Sequence, residues 1–410
     1  MDVRRRAGWL PTQEGLEAWL ETLQERVERE DAPLDPALVE LQELLEGDPL
    51  LRMYAERMVT EEPQGKPYRS RHIDDLPQLL ALMNGVLRSA PEFSEEAMVV
   101  TPMNAVVDWA MGTTAGFAAF RDPRVNAALK KVLSTWCAFL DSPGSRYVLE
   151  DSPSGWMSEA AQQAIGGIEQ YEHDPEAEHW GFGSWNDFFT RRFRPGEREV
   201  AAADDPTVVV SPCESTPYAI STDVRRSDRF WVKNQSYSLE DMLAGDAAVD
   251  ALVGGTVYQA YLSATNYHRW HSPVAGTVRS AFVVDGTYYS EADTEGAGAI
   301  EPQNSQGYMA HVATRAVLVV EADDPRVGVV AFVAVGMSDV SSCVIDPQAA
   351  AGRHVDKGQE VGYFQFGGST MCLVLGPGVV EGFALAALPQ PHDPDAPLVK
   401  VCSPVLTVRS

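Results

Sequence analysis

FQFGGST, residues 364–370, joins two apolar runs, one carrying Val361, Tyr363, Phe364 and Phe366 and the other spanning Met371 to Leu375. Both runs read as strands, so one reading of the glycine pair is a tight turn. Glycine supplies positive φ there, and serine is at home in turns. A second reading is chemical: Ser369 attacks the carbonyl of Gly368, its own neighbour. An N→O acyl shift of this kind wants a small residue before the serine, so that the backbone can distort. It also wants a base and an oxyanion donor close by. Elimination from the ester would leave a pyruvoyl group on the new chain end. These seven residues alone leave both readings open.

Outward from this stretch the chain has two textures. From about Gly181 onward, apolar residues alternate or run in short β-branched blocks: TVVVSPCES, GTVYQAYLS, GTVRSAFVV, RAVLVVEA and VGVVAFVAVG. Asp285-Gly286 and Lys357-Gly358 supply turns. SWNDFFTRRFRPGERE reads as a short aromatic helix ending in a basic cluster. The first third has a helical period instead. Leu16, Trp19, Leu20, Leu23 and Val27 follow Thr12 as a cap, and Leu38, Leu41 and Leu45 follow Asp35-Pro36. Cap-plus-proline starts recur at Asp48-Pro49, Thr101-Pro102 and Asp122-Pro123, the last leading a stripe of Val125, Leu129, Val132, Trp136 and Leu140. The fold class expected is α+β, a helical part over 1–180 followed by a β-rich part over 181–410.

Composition narrows the functions. With 59 acidic and 32 basic residues, the formal charge is −27, which argues against nucleic acid as a partner and against simple electrostatic docking on an anionic membrane. The longest apolar run, Val327 to Met337, is too short to span a bilayer. The first residues carry arginines but no apolar signal-peptide core. Five cysteines without C-x-x-C spacing fit reduced thiols and a cytoplasmic protein.

Chemistry-bearing residues are few. Only eight histidines occur, and His268 and His271 sit together in TNYHRWHSPVAGTV, where the chain turns after a strand. They read either as structural or as a catalytic pair, and no cysteine or carboxylate at ligand spacing suggests a metal. Glu214, in SPCES, is either an exposed turn residue or a carboxylate that orients an imidazole. A serine hydrolase would want G-x-S-x-G on a strand-to-helix elbow, whereas a strand is expected after Ser369. SPVAGTV and VDKGQEVGYF resemble halves of a biotinyl or lipoyl barrel, but no carrier lysine lies between them. That leaves a non-catalytic binding barrel as a possible shape.

Taken together, WNDFFTRRFRPGERE, SPCES, KNQSYSLEDMLAG, YLSATNYHRWHSPVAGTV and VGYFQFGGST resemble the phosphatidylserine decarboxylase family of pyruvoyl-dependent enzymes, over roughly residues 180 to 375. The resemblance implies cleavage between Gly368 and Ser369, with Ser369 becoming a covalent pyruvoyl cofactor and no PLP or metal. It implies His271 as the base for processing and His268 beside it in decarboxylation. The family usually has Ala-Asp-Gly where this chain has Cys213-Glu214-Ser215, and Leu-Gly-Ser-Thr where it has Gly-Gly-Ser-Thr. GWLPTQEGLEAWLETL and MGTTAGFAAF resemble the soluble branch that includes fungal tryptophan decarboxylase. The implied activity is decarboxylation of a free, aromatic, tryptophan-like amino acid to the amine and CO2. Phosphatidylserine, giving phosphatidylethanolamine, is the alternative substrate. The implied partners are a small amino acid and the chain's own fragment 369–410, with no nucleic acid and no integral membrane segment.

Overall fold

The computed structural model describes residues 13–63, 71, 73–94, 101–228, 237–291, 305–337, 339, 342–390 and 396–409. Helices come first: α1 (Gln13–Glu30), α2 (Pro36–Gly47), α3 (Pro49–Thr60), α4 (Leu76–Val86), α5 (Pro102–Met111), α6 (Thr114–Ala119), α7 (Pro123–Leu140), α8 (Glu159–Ile165) and α9 (Trp185–Phe189). Asp35 caps α2 by accepting from Ala37 N–H at 2.9 Å, Asp48 caps α3 and Asp122 caps α7. Proline follows each cap because the first turn has no use for its missing N–H. The expected stripes face inward: Leu16, Leu20 and Leu23 of α1, Leu38, Leu41 and Leu45 of α2, and the five expected residues of α7 are all buried. The expected cap Thr12 lies outside the described residues.

α5 departs from the pattern. Thr101 makes no side-chain cap. The carboxylate of Asp339, from the far end of the chain, takes the N–H groups of Met103 and Asn104 instead, at 3.0 and 2.7 Å. The two N–H groups at this buried helix start must find acceptors somewhere, and here the acceptor is tertiary.

The strands follow: β1 (Val208–Val210), β2 (Thr216–Thr222), β3 (Thr256–Leu262), β4 (Arg269–His271), β5 (Gly276–Val284), β6 (Arg315–Ala322), β7 (Val329–Gly336), β8 (Ser342–Ile345), β9 (His354–Val355), β10 (Glu360–Gln365), β11 (Ser369–Leu375), β12 (Val380–Phe383) and β13 (Pro404–Val408). Between them lie three short helices, α10 (Leu239–Met242), α11 (Val249–Leu252) and α12 (Gln306–Val312). The architecture is α+β. Seven strands form an antiparallel sheet in the order β2-β3-β11-β7-β6-β5-β9, and β4-β10-β8 and β1-β13-β12 form two smaller sheets.

Alternation along β11 decides what each residue meets. Met371, Leu373 and Leu375 join an apolar cluster with Trp270 of β4 and Phe364 of β10. Cys372 and Val374 face the opposite cluster, with Leu239 and Met242 of α10 and Met309 and Ala310 of α12. Ser369 shares the first face, and Thr370 the second. The helical core is continuous with this site: Trp136, Trp185, Phe188 and Phe189 belong to one cluster with Tyr267 and Phe366.

Candidate active site

Gly367 and Gly368 carry the chain from β10 of one sheet into β11 of another, and Gly367 does so at φ 138, a region that favours glycine. Ser369 is the first residue of β11 and pairs with Leu262 of β3 and Gly336 of β7. It is fully buried, and its Oγ has no hydrogen-bond partner. The next bond of the β7–β11 ladder runs from Met337 N–H to the carbonyl of Gly368, at 2.9 Å. That carbonyl is the one an attacking Ser369 would use. An N–H aimed at it from the residue just past β7 is an oxyanion donor in waiting.

His268 lies just before β4, fully buried, with its ring stacked on Phe189 of α9 at 4.1 Å. Two further contacts hold the same stretch: Arg191 donates to Thr265 O at 2.8 Å, and Arg269 Nε donates to Thr190 O at 2.6 Å. The aromatic helix α9, with the two residues after it, is therefore a clamp for the histidine segment. A carbonyl only accepts, so the contact of His268 Nδ1 with Asn266 O at 2.9 Å puts the proton on Nδ1. Nε2 carries the lone pair, buried and without a partner. Burial, with the Arg191 charge adding to it, drops the pKa of His268 to about 3, so the ring is neutral.

His271 differs. Its Nδ1 faces Gly358 O at 2.7 Å, so that nitrogen carries the proton, and its Nε2 lone pair faces the Tyr267 hydroxyl at 2.9 Å. Burial lowers its pKa as well. The structure thus leaves His271 committed on both sides, hydrogen-bonded neither to Ser369 nor to Glu214. Glu214 is buried rather than an exposed turn residue. The expectation that it orients an imidazole meets a different arrangement. Arg198, from the basic cluster after α9, grips the carboxylate through two nitrogens at 2.6 and 3.1 Å, and Val401 N–H donates to it at 2.8 Å. A guanidinium fork matches a carboxylate in geometry and charge, and leaves little of it for a histidine. Glu214 acts on His271 only through its charge, as a minor influence.

Two features were missed in the sequence. Thr370 Oγ1 lies 2.8 Å from Gln306 Oε1 and 2.9 Å from Ala260 O, and accepts from Gln259 Nε2 at 3.3 Å. This buried network fixes β11 on the face opposite Ser369. Asp339 is the other. The only available signal was a carboxylate just past a fully apolar strand, which is no signal of a partner in a distant helix.

Among the described residues, no three His, Cys, Asp or Glu side chains gather as a metal-binding group. The five cysteines are free and buried. An orphaned serine hydroxyl, a glycine before it and a donor on the glycine carbonyl suit a pyruvoyl group made from Ser369 in place.

The family described as phosphatidylserine decarboxylase matches residues 185–388, and a second family of the same description matches residues 35–165. Decarboxylase iboD of Amanita muscaria is 38% identical over 78% of this chain and 91% of that protein. L-tryptophan decarboxylase of Psilocybe cubensis is 33% identical over 73% of this chain and 72% of that protein. The phosphatidylserine decarboxylase proenzyme 3 of Schizosaccharomyces pombe is 31% identical, over 49% of this chain and 20% of that protein. These matches identify a decarboxylase, a carboxy-lyase. The chain belongs to the phosphatidylserine decarboxylase family.

Proposed function

We propose that the chain cleaves itself between Gly368 and Ser369, and that the pyruvoyl group so formed decarboxylates a free aromatic amino acid. The observation that carries this is the buried, unpartnered Ser369 Oγ beside a Gly368 carbonyl held by Met337 N–H. Oγ adds to the Gly368 carbonyl carbon, and the charge that builds on the oxygen falls on that N–H. The Gly368–Ser369 C–N bond then breaks, leaving an ester and a free amine. Elimination of the Gly368 carboxylate and hydrolysis, with loss of ammonia, give the pyruvoyl end of fragment 369–410.

The family position assigns the proton of Ser369 to His271, which must first release Tyr267. His268 is the second candidate: its Nε2 lone pair is free, although it too makes no hydrogen bond to Ser369 Oγ. In turnover, the pyruvoyl carbonyl supplies an electrophile for the substrate amine and a sink for the electrons left by CO2. His268, whose Nε2 lone pair is free, is the residue assigned to return a proton to the α-carbon once CO2 has left.

Support for a free amino acid comes from the relatives named L-tryptophan decarboxylase, which align over 73% and 71% of this chain, whereas the phosphatidylserine enzymes align over 47–49% of it. No described helix is long and apolar enough to cross a membrane. Free buried thiols fit work in the cytoplasm. Intact mass of the purified protein, then CO2 release from tryptophan, phenylalanine, tyrosine and phosphatidylserine vesicles, tests the reading. An uncleaved chain that still decarboxylates would overturn the mechanism, and turnover of vesicles alone would reverse the substrate.

A further inference from the structure

Asp339 stands two residues beyond Met337, the donor to the Gly368 carbonyl, and is 1% exposed. Its backbone sits at φ 67, which a residue with a side chain seldom adopts without something holding it. What holds it is on the page. Oδ1 accepts from Asn104 N–H at 2.7 Å and Tyr289 O–H at 2.9 Å, and Oδ2 accepts from Met103 N–H at 3.0 Å. Two of the three donors are the first turn of α5, whose own neighbour Thr101 leaves them uncapped. The third comes from the segment after β5.

We propose that Asp339 is a positioning residue for self-cleavage: it pins the end of β7 to the helical part of the chain and so holds the Met337 N–H over the Gly368 carbonyl. The inference rests on the self-cleavage reading above. The pin is a tertiary one. Met103 and Asn104 lie on the far side of the chain in sequence, so the donor reaches its working position only when α5 has packed against the β-rich part. Self-cleavage is thereby tied to a completed fold, before the strand register around Ser369 can be used on a half-folded chain.

The pin also has a charge state. Three donors and no described cation face the carboxylate: two backbone N–H groups of α5 and the Tyr289 hydroxyl. Burial raises the pKa of Asp339 to about 7, while its three donors pull the other way. The ionised form accepts all three bonds. A protonated form turns one oxygen into a donor facing donors, and the pin loosens. Burial holds both histidines of the site below their usual range. Cleavage should therefore speed up as pH rises through about 7, and the rise belongs to Asp339.

The test uses the full chain made by cell-free synthesis and shifted into buffers from about pH 5.5 to 8.5, a span set around the Asp339 midpoint. Appearance of residues 1–368 and 369–410 is followed by mass. Wild type should cleave with a rise centred near pH 7. Asp339→Asn should cleave at least about tenfold more slowly at the alkaline end and lose the rise, as expected for a misplaced oxyanion donor. Tyr289→Phe removes one donor to the carboxylate and leaves α5 in place. Its midpoint should move to higher pH with the alkaline plateau kept. If Asp339→Asn fails to fold, Tyr289→Phe still decides. An unmoved midpoint in Tyr289→Phe, or a wild-type rate and profile in Asp339→Asn, overturns the pin while wild-type cleavage leaves the self-cleavage reading standing. A wild-type chain that never cleaves removes that reading and the pin with it.

Discussion

Ser369 and His268 are unusual for what they lack. Native cores rarely leave a hydroxyl and an imidazole nitrogen buried without partners, because each forgoes its hydrogen bonds to water. His268 makes this measurable. An unfolded chain takes up a proton near pH 6.5 that the folded His268 refuses until about pH 3. Between those values the unfolded state binds more protons, so stability falls as pH drops, by up to about 1.4 kcal/mol per pH unit for this one group. Urea unfolding at pH 7 and pH 5 should show a larger loss in wild type than in His268→Gln. Parallel losses would mean that the ring is not buried neutral. Glu214 gives a second residue-scale prediction. Its carboxylate and Arg198 are nearly fully buried as a pair, so Glu214→Gln leaves a guanidinium half-satisfied and should cost about 3 kcal/mol. Cleavage in that variant should persist at a reduced rate in the fraction that folds. A variant as stable as wild type would show that Arg198 finds water or another acceptor.

At the scale of elements, caps separate what could be read in the sequence from what could not. Asp35, Asp48 and Asp122 hydrogen-bond residues two or three positions away, so the cap-proline pattern reveals them. Thr101-Pro102 has the same look, yet α5 is capped by a residue 236 positions downstream. Thr101→Ala should therefore change stability by no more than about 0.5 kcal/mol, while Asp35→Ala costs about 1 kcal/mol. Melting curves of the two variants check this, and equal losses would return the cap to Thr101. The strands were legible because β3, β6, β7 and β11 are covered on both faces and read as apolar runs, broken inside only by Gln259 of β3 and Glu321 of β6. Which strands pair was not legible, since periodicity carries no partner. The site was legible in part. GGST and the histidine pair stand out by residue type, but the Arg198 grip on Glu214 and the Tyr267 bond to His271 depend on distant side chains that meet only in the fold.

For the whole molecule, the fragment that the proposed cleavage would create raises a question of integrity. Residues 369–410 supply β11, β12 and β13. β11 lies inside the seven-stranded sheet and is paired along all seven residues with β3 on one side and β7 on the other. Met371, Cys372, Leu373, Val374 and Leu375 are fully buried, and β13 is paired to β1 of the larger fragment. Burying each such side chain is worth about 1.5–3 kcal/mol, and association of two free pieces costs on the order of 4–15 kcal/mol. The sum for one central strand with its ladder bonds reaches or exceeds that cost, and the buried contacts of β13 add to it. Breaking the peptide at Gly368 therefore should not free the fragment. The Thr370 network with Gln259 and Gln306 keeps the new chain end in register, on the face turned away from the site. Cleaved protein should run as one species in gel filtration and separate into its two chains only in strong denaturant. Its unfolding should be a single transition with both chains lost together. Release of residues 369–410 on dilution in native buffer would show that the sheet alone does not hold them, and that the peptide bond was part of what kept the site assembled.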